Sequence, residues 1–581
     1  MNKDCLPAAP SMTRDGWRGA IFCTSAIRSG ALAALIGVMV VLSARPAAAQ
    51  TGGGRAEVFA GGEFESYLRY LQTLGKSKST TWSIRGFSPR ELDALAPTDS
   101  IHPWASRYDF SSQKGPGLHW NYVHPTVGFL FNTAYPFGGN DGVIWAGKGL
   151  TSYGQAGIGM RWGVLSAKIA PIAFRAENTE FPLMDNQRIG PLIFADGQYP
   201  LRVDKPQRFG DLPYSRLDLG ESNIRIDAGP FATGLSTESQ WWGPTLEYPY
   251  VLGNNAGGFP HFYLGTSHPL NVGIGAIHTR VVYGSLAQSP YSSITGKDYF
   301  VSYDEPGKKR FMAGLVGLIQ IKRITGLELG GGRFFHAANS ASLFTSSNLR
   351  LPLQAFLKTR IAAEGDTVNG DDRSLQQNQL ASIFFRWAPP ETGTEFYGEY
   401  GREDFSADLR DLFQEPDHSA TLNVGFRKAW LVGKNINAFH AEVFSYEAPS
   451  GTRTRGEGLI YLHIPLAQGH TDRGQILGAP VGIGSGSAQT FGFERLTGGG
   501  RLNVFVSRVT QRERSLLEKD YVSGEPSTKG VDVMNSLGAE MSRFVGPFDV
   551  SGKVVFTDNL NRYFTSDVSN LNFGLTVRQS F

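Results

Sequence analysis

Cysteine is almost absent. Of 581 residues only Cys5 and Cys23 carry a thiol. Both lie in the first 49 residues, so no disulfide can brace the remainder. Neither follows an apolar run of the lipoprotein type, which argues against a lipid anchor. Long apolar runs are the second lack. After the N-terminal segment the longest is Phe311–Ile321, broken by two glycines and well short of the roughly 18 residues of a spanning helix. If the chain crosses a membrane it does so as strands, because without water only a helix or a closed barrel satisfies the backbone. Net charge is the third lack. Residues 50–581 hold 50 basic and 50 acidic side chains, so charge gives no reason to expect a nucleic acid or another polyanion as partner.

Common catalytic signatures are missing as well. There is no His-Glu-x-x-His, and the eleven histidines are scattered. His102, His124 and His268 each precede proline, which suits turns better than metal ligation. No G-x-S-x-G elbow occurs. Gly142–Lys148 has the spacing of a phosphate loop, but Gly149 stands where Ser or Thr is required and no helix signal follows. No carboxylates are paired by sequence at glycosidase separation. The expectation is a protein that is not an enzyme and has no metal or cofactor.

What is present begins with an export signal. Lys3, Arg14, Arg18 and Arg28 precede the apolar run Ala31–Leu42, and Ala47-Ala48-Ala49 offers a cleavage site before Gln50. Residues 1–49 are read as a signal peptide and 50–115 as a flexible lead, through Gly62, followed by a small periplasmic helical element. In that element Phe64, Tyr67, Leu68, Leu71 and Leu74 recur at helical offsets up to Gly75. Ser88-Pro89-Arg90-Glu91 reads as N-cap, N1 proline and capping-box glutamate of a second short helix.

Residues 116–581 read as an outer-membrane β-barrel. The last stretch, Leu571–Phe581, puts Phe573, Leu575, Val577 and Phe581 on one face and Asn572, Thr576 and Arg578 on the other, the period of a strand. Its aromatic residues Phe573 and Phe581 resemble the C-terminal signal read by the barrel-assembly machinery. The same alternation sets Leu502, Val504 and Val506 against Arg501, Asn503 and Ser507, and Leu422 and Val424 against Thr421 and Asn423. Short turns are expected near Gly163, Gly229-Pro230, His268-Pro269, Lys322-Arg323, Pro389-Pro390, Gly433-Lys434, Gly498–Gly500 and Gly546-Pro547. Long polar loops are expected at 177–221, 240–259, 337–377, 404–418, 448–456, 511–530 and 559–570. Short and long alternate as periplasmic turns and external loops do. Residues 465–487 fit this parity only with a weak extra strand near Gln475–Gly482. The count is 16 to 20 strands, giving an all-β, antiparallel transmembrane barrel of about 18.

One loop has binding chemistry. Trp241, Trp242, Tyr248, Tyr250, Asn254 and Asn255 fall together in a stretch expected to be external. Aromatic faces stack on sugar rings, and amides both donate to and accept from hydroxyls. Taken alone, the stretch suits rings of an interfacial girdle with asparagines shaping the turn somewhat better.

Several motifs resemble those of Wzi-type capsule-assembly proteins: Asn132-Thr-x-Tyr135-Pro136, Asn140-Asp141-Gly142 with Trp145 and Gly147, Trp241-Trp242-Gly243-Pro244, Asn254-Asn255-Ala256, and Gly474-Gln475-x-Leu477-Gly478-Ala479-Pro480 with Gly482. The resemblance implies an outer-membrane barrel of about eighteen strands with a periplasmic helical bundle. It also implies a lectin-like role in holding exported capsular or exopolysaccharide at the cell surface, with outer-membrane lipid around the barrel. The rival expectation is a diffusion porin for sugars, since a polar lumen and aromatic loops serve both.

Overall fold

The computed structural model describes residues 54–113, 117–291, 309–337, 346–353, 367–368, 371–372, 377–403, 409–448, 459–462, 466, 468–514 and 530–580. The signal-peptide reading and Phe581 lie outside them. Eighteen antiparallel strands among these residues close into one barrel. The first nine are β1 (Leu118–Asn132), β2 (Gly149–Trp162), β3 (Leu165–Ile169 and Ile172–Ala176), β4 (Tyr214–Asp218 and Asn223–Ala228), β5 (Phe231–Ser236), β6 (His261–Thr266 and Leu270–Asn271), β7 (Gly275–Ala287), β8 (Lys309–Ile321) and β9 (Leu327–Ala337). The second nine are β10 (Gln377–Trp387), β11 (Thr394–Glu403), β12 (Ala420–Val432), β13 (Asn435–Tyr446), β14 (Gly486–Thr497), β15 (Gly500–Arg512), β16 (Val531–Val545), β17 (Phe548–Arg562) and β18 (Ser566–Gln579). The wall closes where β18 pairs with β1, Phe573 opposite Phe131 and Arg578 opposite Thr126.

Alternation along β18 follows the sequence reading. Phe573 and Leu575 are exposed on the outer surface, while Asn572 is buried. Arg578 points inward, pairs with Glu63 at 2.9 Å and lies 4.6 Å over the Phe64 ring. A charge on the lipid face near mid-depth would cost about 2–4 kcal/mol, so the inward register is the stable one.

Two helices sit at the short-turn end of the barrel, α1 (Glu63–Thr73) and α2 (Pro89–Leu95). The capping box of α2 forms in full: Glu91 N–H donates to the Ser88 hydroxyl, and Ser88 N–H donates to the Glu91 carboxylate. Phe64, Tyr67, Leu68 and Leu71 of α1 pack with Trp104, Tyr108 and Phe110 against wall residues Ile436, Ala438 and Leu496. From Gly54 to Gly62 the lead before α1 is packed against the protein. Arg55, Glu57 and Val58 are buried, and Arg55 bonds Ser111 O, Pro89 O and Asp93. Its glycines suggested a loose tail, but its charged and apolar side chains find partners on the wall and on α2.

Glu91 ties α2 to the wall through His278 at 2.9 Å. Burial alone would raise its carboxyl, but His278, Arg280 and Arg225 outweigh that and hold it at about 2. A depressed carboxyl stabilises the fold above its unfolded value and loses that contribution as pH falls through the folded one. Protease protection of α2 should therefore decline as pH falls from 4.5, the ordinary value of such a carboxyl, to about 2. The same titration of Glu91→Gln should lack this step; an identical step would remove Glu91 as its source.

Three turn and loop expectations are corrected. His268-Pro269 is a break within β6, since proline has no N–H for the ladder; the turn follows at 272–274, where Val272 N–H donates to Gly275 O. The weak extra strand expected near Gln475–Gly482 does not form in the wall. Among the described residues Gln475–Ile476 pairs only with Thr471–Asp472, and none between Tyr446 and Gly486 joins the barrel wall. The apolar residues Ile476, Leu477, Ala479 and Val481 are buried against other lumen residues rather than facing lipid. The 559–570 loop shrinks to 563–565, because β17 continues to Arg562.

Candidate functional site: a cleft above a plugged lumen

The loop 237–260 turns into the barrel instead of standing outside it. Trp241 and Trp242 form a two-residue ladder with Ile84–Arg85 of the N-terminal segment. Trp242 is fully buried in the main core cluster together with Ile84, Phe334, Tyr250 and Tyr461. Trp241 lies against Arg85, whose guanidinium is 4.0 Å from the ring centroid, and its indole N–H donates to Thr245. Tyr248 is buried and shares a hydrogen bond with Thr490. Tyr250 stacks on Tyr461, whose hydroxyl donates to Tyr250 O. These four rings present no open face to a polymer. The expected aromatic surface is a packing core, because the chain reaches it by folding inward.

The asparagines serve a different purpose. Gly142 N–H donates to Asn254 O at 2.7 Å, and the Asn254 amide donates to Asn140 O. The Asn140 amide donates to Glu247 O. The Gln475 amide donates to Gly142 O and Asn255 O, and the Asn255 amide to Ile476 O. Loops 133–148, 237–260 and 466–485 are thus tied into one knot by side-chain amides bonding to backbone. Gly142 permits it by its left-handed φ of 62°, and a Cβ there would come within 3.1 Å of the Asn254 amide oxygen.

The wall holds this knot with carboxylates. Glu395, Glu399 and Glu403 share the inward face of β11 at every fourth residue, climbing from the turn end to the loop end. Glu395 takes Arg69 of α1. Glu399 accepts from Tyr250 N–H, and Glu403 from Tyr461 N–H. On β13, Glu442 accepts from the N–H groups of Leu246 and Tyr248 and from the Tyr397 hydroxyl. On β9, Glu328 accepts from Trp82 and Ser83 N–H. Each carboxylate thereby answers plug groups that would be costly to bury unpaired.

Above the plug, at the loop end, a cleft of about 320 Å³ remains open. Its lining includes Trp145, Asp141, Asp196, Lys205, Arg562 and Tyr563. Trp145 stands edge-on to Phe209 and over Gly147, where a Cβ would come within 2.5 Å of the ring. Arg562 lies 3.7 Å over Tyr135 and 4.2 Å from the Tyr563 ring. Asn561, Tyr563 and Phe564 all hold positive φ, at 56°, 54° and 62°, strain of order 1–3 kcal/mol each that the surrounding contacts must maintain. Burial pushes the Asp141 and Asp196 carboxyls up from the usual range. No group of three or more His, Cys, Asp or Glu suited to a metal occurs among the described residues.

Of the six residues singled out in sequence, only Asn255 lines this cleft. Asp196, Lys205, Arg562 and Tyr563 went unnoticed, since nothing local marks them and they meet only through the barrel closure. The glutamates of β11 could have been found: three carboxylates on one strand face, four apart, require buried partners.

A closed antiparallel wall, apolar outside and polar within, with short turns at one end and long loops at the other, defines an outer-membrane barrel. Among solved structures the chain is similar to Wzi of Escherichia coli, described as an outer membrane protein involved in group 1 capsule assembly and a carbohydrate binding β-barrel; identity is 13%, the TM-score 0.55, and the match covers 90% of this chain and 99% of that one. Acinetobacter baumannii OccAB3 matches with 8% identity, 79% and 98% coverage and a TM-score of 0.37, and Pseudomonas aeruginosa OpdQ with 8%, 79%, 97% and 0.36. At such identity the likeness to Wzi concerns the fold. No family model and no curated protein matches the sequence.

Proposed function

We propose that this protein is a plugged, lectin-like barrel of the outer membrane that binds exported capsular or exopolysaccharide and aids its assembly or attachment at the cell surface. The observation that carries this reading is the pairing of a lumen filled by an interlocked plug with a polar, aromatic-edged cleft at the loop end. By the usual disposition of such barrels, long loops face outward, which turns the cleft to the exterior and sets α1 and α2 in the periplasm. The solved barrel of similar fold is described as carbohydrate binding, and the amides, carboxylates and rings of the cleft are the groups that recognise sugar hydroxyls and C–H faces. The barrel acts by binding, with no cofactor and no catalytic step. Its partners are the polysaccharide, outer-membrane lipid around the wall, and the barrel-assembly machinery at β18, with Phe573 and Phe581 as its contacts.

A deletion strain should make and export polymer but release more of it into the medium, measured as cell-bound against free polysaccharide. An unchanged partition would overturn the proposal. Reconstituted in planar bilayers, the intact protein should be almost silent. Large, stable open currents would favour a diffusion porin instead.

A further inference from the structure

The cleft's charges and free hydrogen-bonding groups specify more than "sugar". Resting on the lectin reading, we infer that the cleft takes a neutral sugar unit of the polymer, held through vicinal hydroxyls by Asp196 and Lys205, and turns away uronate units. Three carboxylates, Asp141, Asp196 and Asp532, line the cleft against two cations, Lys205 and Arg562. One of those cations is already engaged. The Arg562 guanidinium lies between the rings of Tyr135 and Tyr563 and donates to Asn559 and to the Tyr563 hydroxyl. Asp532 is likewise engaged, accepting from the Asn559 amide and from Tyr563 N–H.

The remaining groups have capacity to spare. Asp196 is 9% exposed; one of its oxygens accepts from Gln198 and Tyr199 N–H at 3.0 and 2.7 Å, and the other has no donor among the described residues. One Asp141 oxygen accepts from Gly139 N–H, and the second has no donor among the described residues. The Lys205 ammonium makes no hydrogen bond or ion pair among the described residues, yet lies within electrostatic reach of both Asp196 and Asp532.

A hydroxyl donates one hydrogen bond and accepts others, an ionised carboxylate only accepts, and an ammonium only donates. Two hydroxyls on adjacent sugar carbons can therefore donate a hydrogen bond to Asp196 and accept one from Lys205. A uronate carboxylate can answer Lys205 alone, and in doing so it enters a space already holding more negative than positive charge. Inside a partly desolvated cleft like charges repel far more strongly than in water. A volume of about 320 Å³ lies at the small end of ligand pockets and suits about one or two sugar rings, so the site selects a unit within the chain rather than a long segment.

The test uses the full-length refolded barrel in detergent. The cell's own extracellular polysaccharide is cut by partial acid hydrolysis, and anion exchange divides the fragments into neutral and uronate-bearing pools. Calorimetric titration should show the neutral pool binding at least tenfold more tightly, with little dependence on salt. Lys205→Met, which removes no hydrogen bond or ion pair among the described residues, should weaken the neutral pool about tenfold at unchanged melting temperature. Equal or tighter binding of the uronate pool, falling steeply with salt, would overturn the neutral-unit inference and leave the lectin reading standing. Binding of neither pool nor of the uncut polymer would overturn the lectin reading itself.

Discussion

Replacing Glu395 with alanine is expected to destabilise the protein by about 3–5 kcal/mol, the cost of leaving buried charge without its partner, and to turn an almost silent barrel into a conducting one. Glu395 accepts from Arg69 at 2.5 Å and from Arg386 at 2.6 Å, and Arg427 approaches to 3.6 Å. None of the three arginines is more than 3% exposed at its side chain. Arg386 retains Glu328 and the Gln72 amide oxygen, but Arg69 would keep, among the described residues, a single hydrogen-bond acceptor, Pro244 O. Arg69 belongs to α1, and Pro244 to the loop that carries the tryptophans, so the change strikes the junction of helix, plug and wall. Thermal unfolding in detergent and planar-bilayer current read the two consequences separately. Glu395→Gln keeps an acceptor oxygen without the charge, so an intermediate loss is expected. Wild-type stability and silence in the alanine variant would show that the plug does not depend on this network.

The wall was legible because it answers to local rules. Lipid on one side and a polar interior on the other impose a period of two, which Leu502, Val504 and Val506 against Arg501 and Asn503 display without help from any distant residue. Turn positions such as Gly433-Lys434 and Gly546-Pro547 were legible for the same reason. The plug obeys no such rule. Ile476, Leu477 and Ala479 are apolar because they are buried under the knot, and in sequence that looks the same as an apolar strand. The bond from Gln475 to Gly142 spans 333 positions, and that from Asn140 to Glu247 spans 107. Periodicity within either segment could not reveal them. Of the motifs that resembled a capsule-assembly family, Asn140, Gly142, Asn254, Asn255 and Gln475 are residues of that knot, Trp242 belongs to the buried core, and Asp141 and Trp145 line the cleft. The cleft is one step further removed, since Lys205 and Arg562 meet only after the barrel has closed and the loops have settled.

The second large effect is expected at Trp242, and it separates packing from recognition. The ring is fully buried, lies 6.2 Å and edge-on to Phe334, and rests over two wall glycines. A Cβ at Gly314 would come within 2.5 Å of the indole and one at Gly332 within 3.2 Å, so the wall is thinned to admit it. Trp242→Ala leaves a cavity that the rigid strands cannot fill, at a cost of about 3–5 kcal/mol, measured as a lowered unfolding midpoint and as raised bilayer current. Polysaccharide affinity of the folded fraction should stay at the wild-type value, because the ring has no face turned toward the cleft. Trp145→Ala is the converse case: its ring is half-buried at the cleft edge, so affinity should fall about tenfold, some 1.4 kcal/mol, while the barrel remains closed. Loss of affinity in Trp242→Ala without loss of stability would place the buried tryptophans at the glycan after all, and would mean that the plug opens to bind.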